Sequence, residues 1–111
     1  MTRLVDLRPE HESIVRDILT TRLPPSVSVR VFGSRAKGTA KPYSDLDLAL
    51  KGDERLSLAL LADVADAFSD SDLPFRVDVV DWRSAAPAFQ AVIDRDGVGF
   101  MPEAGRARMR L

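Results

Sequence analysis

Hydrophobic residues recur every three or four positions in three stretches of the chain, as expected for helices that bury one face. These stretches are residues 9–23, residues 53–68 with Asp53 as the N-cap, and residues 84–94. A shorter helix is expected at residues 34–37, where Ser34 stands near the N-terminus and a glycine follows the last residue. The spacing of apolar positions therefore predicts four helices.

Three runs of apolar residues lie between these helices and predict β-strands. They span residues 27–32, 45–50 and 75–80, and residues 98–101 are expected to add a short edge strand. Because strands alternate with helices in the order α-β-α-β-α-β-α, we expect an α/β fold in which helices cover a sheet. The relative direction of the strands stays open, since the short connection of residues 38–44 could permit an unusual crossing.

Composition limits what this fold can do. The chain has 111 residues, 45% of them hydrophobic, which suits a single domain, residues 1–111, with a substantial core. Its net charge of -1 supplies no general basic field, so strong nucleic-acid binding is not expected. No run of apolar residues approaches the length of a membrane span. The absence of cysteine suits a cytoplasmic protein. The tail of residues 103–111, with three arginines, is expected to be solvated.

Two aspartates interrupt the second predicted strand. Asp45 and Asp47 are two positions apart, so their side chains point to the same side of the strand, roughly 6–7 Å apart along it. Two carboxylates this close repel each other, and one of them must take up a proton or find a cation. Paired carboxylate oxygens suit Mg²⁺ or Mn²⁺ rather than zinc. The pair therefore predicts a divalent metal site.

A third aspartate, Asp78, lies between two valines in the third predicted strand. If that strand neighbours the second one, Asp78 completes a cluster of three carboxylates that can hold two divalent ions, one activating a hydroxyl and one steadying a triphosphate. Asp81 points to the opposite side of the same strand, near its end, and is interpreted as a loop or capping residue. Asp45, Asp47 and Asp78 are thus the predicted metal ligands and catalytic residues.

The residues after the first predicted strand offer a phosphate site. Gly33 lets the backbone approach a ligand closely, and the free N–H groups at the start of the following helix attract phosphate oxygens. Ser34 can donate its hydroxyl, while Arg35 and Lys37 offer positive charge nearby. These four residues are the predicted nucleotide-binding set. Together with the aspartates they would hold a metal–nucleoside triphosphate with its α-phosphate facing a hydroxyl.

Each of these features has an ordinary structural explanation when it stands alone. Gly-Ser after a strand is most often a simple turn, and Asp-x-Asp is most often exposed or capping. Asp78 could end a salt bridge, and Arg35 and Lys37 could simply be solvated. Their combination at fitting offsets, with each aspartate flanked by apolar residues, favours the metal–triphosphate interpretation.

The combined motif consists of FGS at residues 32–34, a ten-residue spacer, DLDL at residues 45–48 and VDV at residues 77–79. It resembles the signature of the nucleotidyltransferase superfamily that includes DNA polymerase beta and the aminoglycoside nucleotidyltransferases. The fuller form, GSRAKG with SDLDL, looks most like the minimal nucleotidyltransferases of bacteria and archaea. The resemblance covers nearly the whole chain.

The resemblance implies a small mixed β-sheet flanked by helices, and a Mg²⁺-dependent transfer of a nucleoside monophosphate from a nucleoside triphosphate with release of pyrophosphate. By motif position, Asp45 and Asp47 would bind metal, and Asp78 would be the third ligand and help to activate the acceptor hydroxyl. Gly33 and Ser34 would bind the triphosphate. Larger members carry an extra helical region that grips the second substrate, so a second chain is expected to complete the site here.

Minimal nucleotidyltransferases also resemble, as a group, the antitoxin half of modules whose other half is a small helical HEPN-domain ribonuclease toxin. This resemblance implies ATP as the substrate, a HEPN toxin as the partner, and AMP transfer onto a tyrosine of that toxin. Two alternatives stay open: a binding module that neutralises its partner by contact, and a small-molecule nucleotidyltransferase of the aminoglycoside type. No base-reading motif distinguishes ATP from other nucleoside triphosphates.

Overall fold

The computed structural model describes residues 5–101, and the tail predicted to be solvated lies outside this range. The described residues form four α-helices, four strands and one 3₁₀ turn. The helices are α1 (Pro9–Arg22), α2 (Ser34–Lys37), α3 (Leu58–Ser69) and α4 (Pro87–Asp96); the strands are β1 (Ser28–Phe32), β2 (Leu46–Lys51), β3 (Val77–Asp81) and β4 (Val98–Met101); and the 3₁₀ turn is Trp82–Ser84. None of the helices within residues 5–101 combines the length and hydropathy needed to cross a membrane.

The four strands form one mixed sheet in the order β3-β2-β1-β4. β1 runs antiparallel to both β2 and β4, whereas β2 and β3 are parallel. The long connection through α3 joins the parallel pair, as a crossover requires, and the shorter connection through α2 joins an antiparallel pair. The predicted mixed sheet flanked by helices is confirmed. No unusual crossing is needed, because β1 and β2 are antiparallel neighbours.

One face of the sheet is covered by α1 and α3 and holds the larger part of the core. β2 contributes Leu46, Leu48 and Leu50 to this face, and none of the three retains any exposed surface. They pack with side chains of both helices, including Val15 of α1 and Val64 of α3. Each buried leucine of this kind stabilises the fold by roughly 1.5–3 kcal/mol.

The opposite face is covered by α4 over part of its extent. Ile93 of α4 is fully buried and packs with Phe32 and Ala49. Phe89 touches Phe32 edge-on, with ring centroids 5.6 Å apart, but remains 38% exposed. The apolar cover therefore thins near the end of the sheet where β1 ends and β2 begins, which is where Asp47 lies.

α3 begins later than predicted. Its N-cap is Ser57, whose Oγ accepts a hydrogen bond from the N–H of Leu60 at 3.0 Å, so the predicted N-cap at Asp53 is wrong. The N–H of Leu56 instead donates to Oδ2 of Asp81 at 2.9 Å. This bond from a neighbouring element holds the residues before Ser57 outside the helix.

α4 also begins later, at Pro87 rather than at residue 84. The preceding residues form the 3₁₀ turn because the carboxylate of Asp81 accepts hydrogen bonds from donors of that turn. Oδ1 of Asp81 accepts from the N–H of Arg83 at 3.2 Å, and Oδ2 accepts from the hydroxyl of Ser84 at 2.9 Å. Asp81 is 5% exposed, and the interpretation of this residue as a cap is confirmed.

Candidate active site

Gly33 forms the turn between β1 and α2 in a conformation that other residues rarely adopt. Its φ is 76° and its ψ is -155°, a region that a Cβ makes strongly unfavourable. A Cβ added at this position would also overlap Oδ2 of Asp47. The turn therefore brings the backbone of the predicted phosphate site directly against a predicted catalytic carboxylate, and glycine is the residue that permits this contact.

The register of β2 brings the predicted site residues together. Asp47 pairs with Phe32 of β1 on one side and with Asp78 of β3 on the other. Asp47 and Asp78 are in-register neighbours on parallel strands, so their side chains share one face and the two strands lie about 4.8 Å apart. Asp45 immediately precedes β2. All three aspartates therefore converge at the end of the sheet that carries Gly33.

The electrostatic environment of Asp47 reflects this convergence. Burial raises the pKa of Asp47 above its ordinary value, and the negative charges of Asp78 and Asp45 raise this pKa further. A carboxyl group with a raised pKa is destabilised in its ionised form unless a cation joins it. The raised pKa of Asp47 therefore favours a cation beside its carboxylate.

The donor set fits a hard divalent cation by its chemistry. Asp45, Asp47 and Asp78 offer carboxylate oxygens without nitrogen or sulfur, which is the ligand type of Mg²⁺ and Mn²⁺. All three residues are half-exposed, so a cation can reach them from solvent. In the part of the chain that the structure describes, no three acidic or histidine side chains are arranged so that they could hold a metal ion, so metal binding would require these carboxylates to reorient. Metal binding by these residues stays a prediction.

Arg76 is a neighbour of the site that the sequence reasoning missed. Its Nη2 donates a hydrogen bond to Oδ1 of Asp78 at 3.3 Å, and its side chain is 78% exposed. Side chains two positions apart in an extended segment point to the same side. The position of Arg76, two residues before Asp78, could therefore have placed it beside that carboxylate. An exposed ion pair of this kind adds little stability. The guanidinium can therefore turn toward a bound anion at small cost.

Ser34 and Lys37 lie at opposite ends of α2. Ser34 is its first residue, directly after the Gly33 turn, and its side chain is half-exposed. Nζ of Lys37 lies 3.7 Å from Oδ2 of Asp96, at the end of α4. Ser34 is therefore next to the turn that contacts Asp47, whereas Lys37 is paired with an acidic residue on the α4 side of the molecule.

Arg35 does not occupy the place that the sequence suggested for a phosphate ligand. The residue is 5% exposed, and its guanidinium donates to backbone carbonyl oxygens, including those of Asp6 at 2.9 Å and Ser44 at 3.0 Å. Its Cζ also lies 4.1 Å above the ring centroid of Phe75. Because these contacts occupy Nε and both Nη atoms, the predicted phosphate contact by Arg35 does not match its placement.

A separate cleft of about 450 Å³ borders the loop of residues 38–44. Its lining includes Arg8, His11, Lys41 and Tyr43 and does not include Asp45, Asp47 or Asp78. This cleft is therefore a different place from the three aspartates. The carboxylates are the better candidate for the reaction, because they combine metal-ligand chemistry with the turn that is predicted to bind phosphate.

Comparison with known proteins shows which family this chain resembles. Residues 4–101 match the family model described as "Polymerase beta, Nucleotidyltransferase". A relative from Haemophilus influenzae, named "Probable protein adenylyltransferase MntA", is 45% identical over 89 residues, which are 80% of this chain and 77% of the relative.

Similar folds occur in solved toxin–antitoxin structures. A chain of a toxin–antitoxin crystallised with AMP-PNP matches with a TM-score of 0.68 and 27% identity, over 79% of this chain and 70% of the other. A chain from the complex of a tri-AMPylated Shewanella oneidensis HEPN toxin with an MNT antitoxin matches with a TM-score of 0.63 and 24% identity, over 84% and 71%. At 24% identity, the match to the chain from the Shewanella oneidensis complex shows only that the two chains share a fold.

Proposed function

The chain belongs to the polymerase beta family of nucleotidyltransferases, and on this premise we propose that it moves AMP from ATP to a hydroxyl group of a protein partner, with the help of Mg²⁺. We propose further that the partner is a HEPN-domain toxin, which would make the chain an antitoxin. The observation that carries the proposal is the meeting of Gly33, Asp47 and Asp78 at one end of the sheet. This arrangement places the turn predicted to bind phosphate beside two neighbouring carboxylates.

The proposal gives each site residue a role. The backbone at Gly33 and the hydroxyl of Ser34 bind the triphosphate. The carboxylates of Asp45, Asp47 and Asp78 hold Mg²⁺ or Mn²⁺, which when bound would offset the negative charge of the triphosphate and activate the acceptor hydroxyl. Arg35 is left out of this set because its donors are occupied by backbone carbonyl groups.

The transfer exchanges one phosphorus–oxygen bond for another. The acceptor oxygen attacks the α-phosphorus in line with the departing pyrophosphate, and the bond from the α-phosphorus to the bridging oxygen breaks. Asp78 takes the proton of the attacking hydroxyl. Its side chain is 45% exposed, which supports this role because the second substrate must approach from solvent.

The relatives support the choice of ATP and of a toxin partner. The Haemophilus influenzae relative is named an adenylyltransferase. One similar structure, at 27% identity, is a toxin–antitoxin with AMP-PNP. A chain of the same fold lies in a complex with an AMPylated HEPN toxin. The proposal includes a single domain over residues 1–111 and action in the cytoplasm, where ATP is available.

Intact-mass spectrometry of the partner tests this function. The protein is mixed with its cognate helical partner, Mg²⁺ and ATP, and we expect a gain of one AMP per modified site. Asp78→Asn should slow the transfer much more than it weakens ATP binding, because Asp78 acts mainly in the transition state. Asp66→Asn, at an exposed position of α3, is the matched control and should transfer at the wild-type rate.

A different outcome would identify a different function. A tight, inactive complex with no mass shift, formed equally by the wild type and Asp78→Asn, contradicts the enzymatic proposal. The chain would then neutralise its partner by contact alone. An AMP gain on an aminoglycoside, with none on the protein partner, would instead make it a small-molecule nucleotidyltransferase.

A further inference from the structure

Arg35 has no part in the reaction described above, yet its position is unusual. Among residues 5–101, Arg35 and Asp81 are the two charged or polar residues that are buried. Burying a guanidinium is costly unless its donors are satisfied. Its backbone belongs to α2, directly after Gly33 and Ser34, while its side chain turns to a different part of the molecule.

The guanidinium of Arg35 fastens the loop of residues 38–44, which we call the entry loop because Asp45 follows it. Nε donates to the carbonyl oxygen of Ser44 at 3.0 Å, and Nη2 donates to those of Pro42 at 3.1 Å and Lys41 at 3.4 Å. The loop is also closed on itself, since the N–H of Lys41 donates to Oγ of Ser44 at 2.8 Å. One side chain thus ties this closed turn to α2.

The same guanidinium contacts the segment that leads into β3. Its Cζ lies 4.1 Å above the ring centroid of Phe75. Phe75 is followed by Arg76, whose carbonyl oxygen accepts the N–H of Leu46 at 2.9 Å. The chain therefore approaches Asp45 and Asp78 through two segments that both rest on Arg35.

We infer that Arg35 is a positioning residue for nucleotidyl transfer, which holds the carboxylates of Asp45 and Asp78 in place relative to the Gly33–Ser34 turn without touching substrate. The inference rests on the proposed function. A planar guanidinium bonds several carbonyl groups in fixed directions and stacks on a ring at the same time, whereas a lysine ammonium is a flexible point charge. Arg35→Lys keeps the charge and removes this geometry.

The expected consequence is a split between kcat and KM. Displacement of a reacting group by about 1 Å costs about 10²-fold in rate, so kcat for AMP transfer should fall about 100-fold in Arg35→Lys. The proposed triphosphate contacts belong to α2, whose turn keeps its own bond from the N–H of Ala36 to the carbonyl oxygen of Gly33 at 3.0 Å. Asp47 also stays in place, because β2 pairs with both β1 and β3 at this residue. The KM for ATP should therefore change less than about threefold.

Arg16 offers a matched control because it makes similar contacts away from the site. Its Nη1 donates to the carbonyl oxygen of Phe100 at 3.1 Å, and its Cζ lies 4.1 Å from the centroid of the Phe100 ring. Arg16→Lys therefore also loses a guanidinium that stacks on a ring and bonds a carbonyl group. It should leave both kcat and KM unchanged.

Hydrogen exchange of the full chain, followed by mass spectrometry, gives a second readout that does not depend on activity. In Arg35→Lys the amides of residues 39–46 should exchange faster, while α3 keeps its wild-type protection. In Arg16→Lys the amides of residues 39–46 should exchange at the wild-type rate. This pattern would place the effect of Arg35 on the segment that carries Asp45.

Several outcomes would overturn the inference. An unchanged kcat in Arg35→Lys removes the positioning role, and a raised KM at unchanged kcat makes Arg35 a nucleotide-binding residue. An equal loss of activity in Arg16→Lys, or a loss of protection over the whole chain, makes Arg35 a general support of the fold. If the wild type transfers no AMP, the proposed function fails and the catalytic role of Arg35 fails with it.

Discussion

The two faces of β2 carry opposite kinds of side chain, although both lie on a strand of six residues. Leu46, Leu48 and Leu50 point to the face covered by α1 and α3, and none of them exposes any surface. Asp47 and Ala49 point to the other face, where Ala49 is buried with α4 and Asp47 is half-exposed. We call these the closed face and the open face.

Stability and chemistry are divided between the closed face and the open face. The leucines of the closed face stabilise the fold by roughly 1.5–3 kcal/mol each. On the open face, burial and the charges of Asp78 and Asp45 raise the pKa of Asp47, so its ionised form is less stable in the folded chain than in the unfolded one. The closed face offsets this cost, and the open face keeps charges that a ligand can satisfy.

The largest effect is expected when two charges are removed from the open face. Asp45→Asn combined with Asp47→Asn should abolish metal-dependent triphosphate binding and lower AMP transfer on the order of 10⁴-fold, the scale of a lost catalytic group. Because repulsion is relieved, the Tm of the ligand-free protein should stay the same or rise. Titration calorimetry with a non-hydrolysable ATP analogue measures the binding. Equal affinity in excess EDTA, or a collapse of the Tm, would contradict the division of the two faces.

On the closed face, Leu48→Ala should have the converse effect. The cavity left by the leucine should lower the free energy of unfolding by about 2–5 kcal/mol, as measured by urea denaturation. At a temperature where the variant is fully folded, its AMP transfer should match that of the wild type. Loss of transfer without loss of stability would show that the closed face takes part in the reaction.

Gly33→Ala tests the contact between the phosphate turn and the open face. The positive φ makes alanine unfavourable by about 1–3 kcal/mol, and the new Cβ would push against the carboxylate of Asp47. Gly38→Ala is the matched control, because Gly38 has the same φ of 76° but nothing within 4 Å of an added Cβ. Thermal denaturation should find both variants destabilised. AMP transfer should fall much further in Gly33→Ala than in Gly38→Ala, and equal transfer by both variants would refute the contact.

The smallest effect concerns pH. Because the pKa of Asp47 is raised on folding, its contribution to stability is fully present below the ordinary aspartate pKa of about 4 and is lost as pH rises through the raised pKa. Asp47→Asn removes this loss. The Tm of the variant relative to the wild type should therefore increase from acidic to neutral pH in paired melting curves. A Tm difference that does not vary with pH would mean that folding does not raise the pKa of Asp47.

The period of two along strands explains why much of the open face could be predicted from the sequence. It places Asp45 and Asp47 on the side opposite the leucines, whatever the surrounding fold. The position of Asp78 needed one assumption, that β3 neighbours β2, and the structure confirms the pairing of Asp47 with Asp78. The roles of these residues as metal ligands remain predictions.

Roles that depend on tertiary contacts could not be predicted in this way. Asp53 and Ser57 are both suitable N-caps, and the bond from Leu56 to Asp81 favours the second. An arginine after Gly-Ser suggests a phosphate ligand, but Arg35 meets the carbonyl oxygens of residues 6, 41, 42 and 44 only in the folded chain. Local spacing carries no information about such distant acceptors.

A crystal structure of the chain with Mn²⁺ and a non-hydrolysable ATP analogue would locate the active site by experiment, because anomalous scattering identifies the position of the metal. We expect the Mn²⁺ signal at the carboxylates of Asp45 and Asp47, and the triphosphate against the turn at Gly33. Nucleotide bound instead in the cleft lined by Arg8 and Tyr43, or Mn²⁺ bound away from the aspartates, would contradict the claim that the open face is the active site.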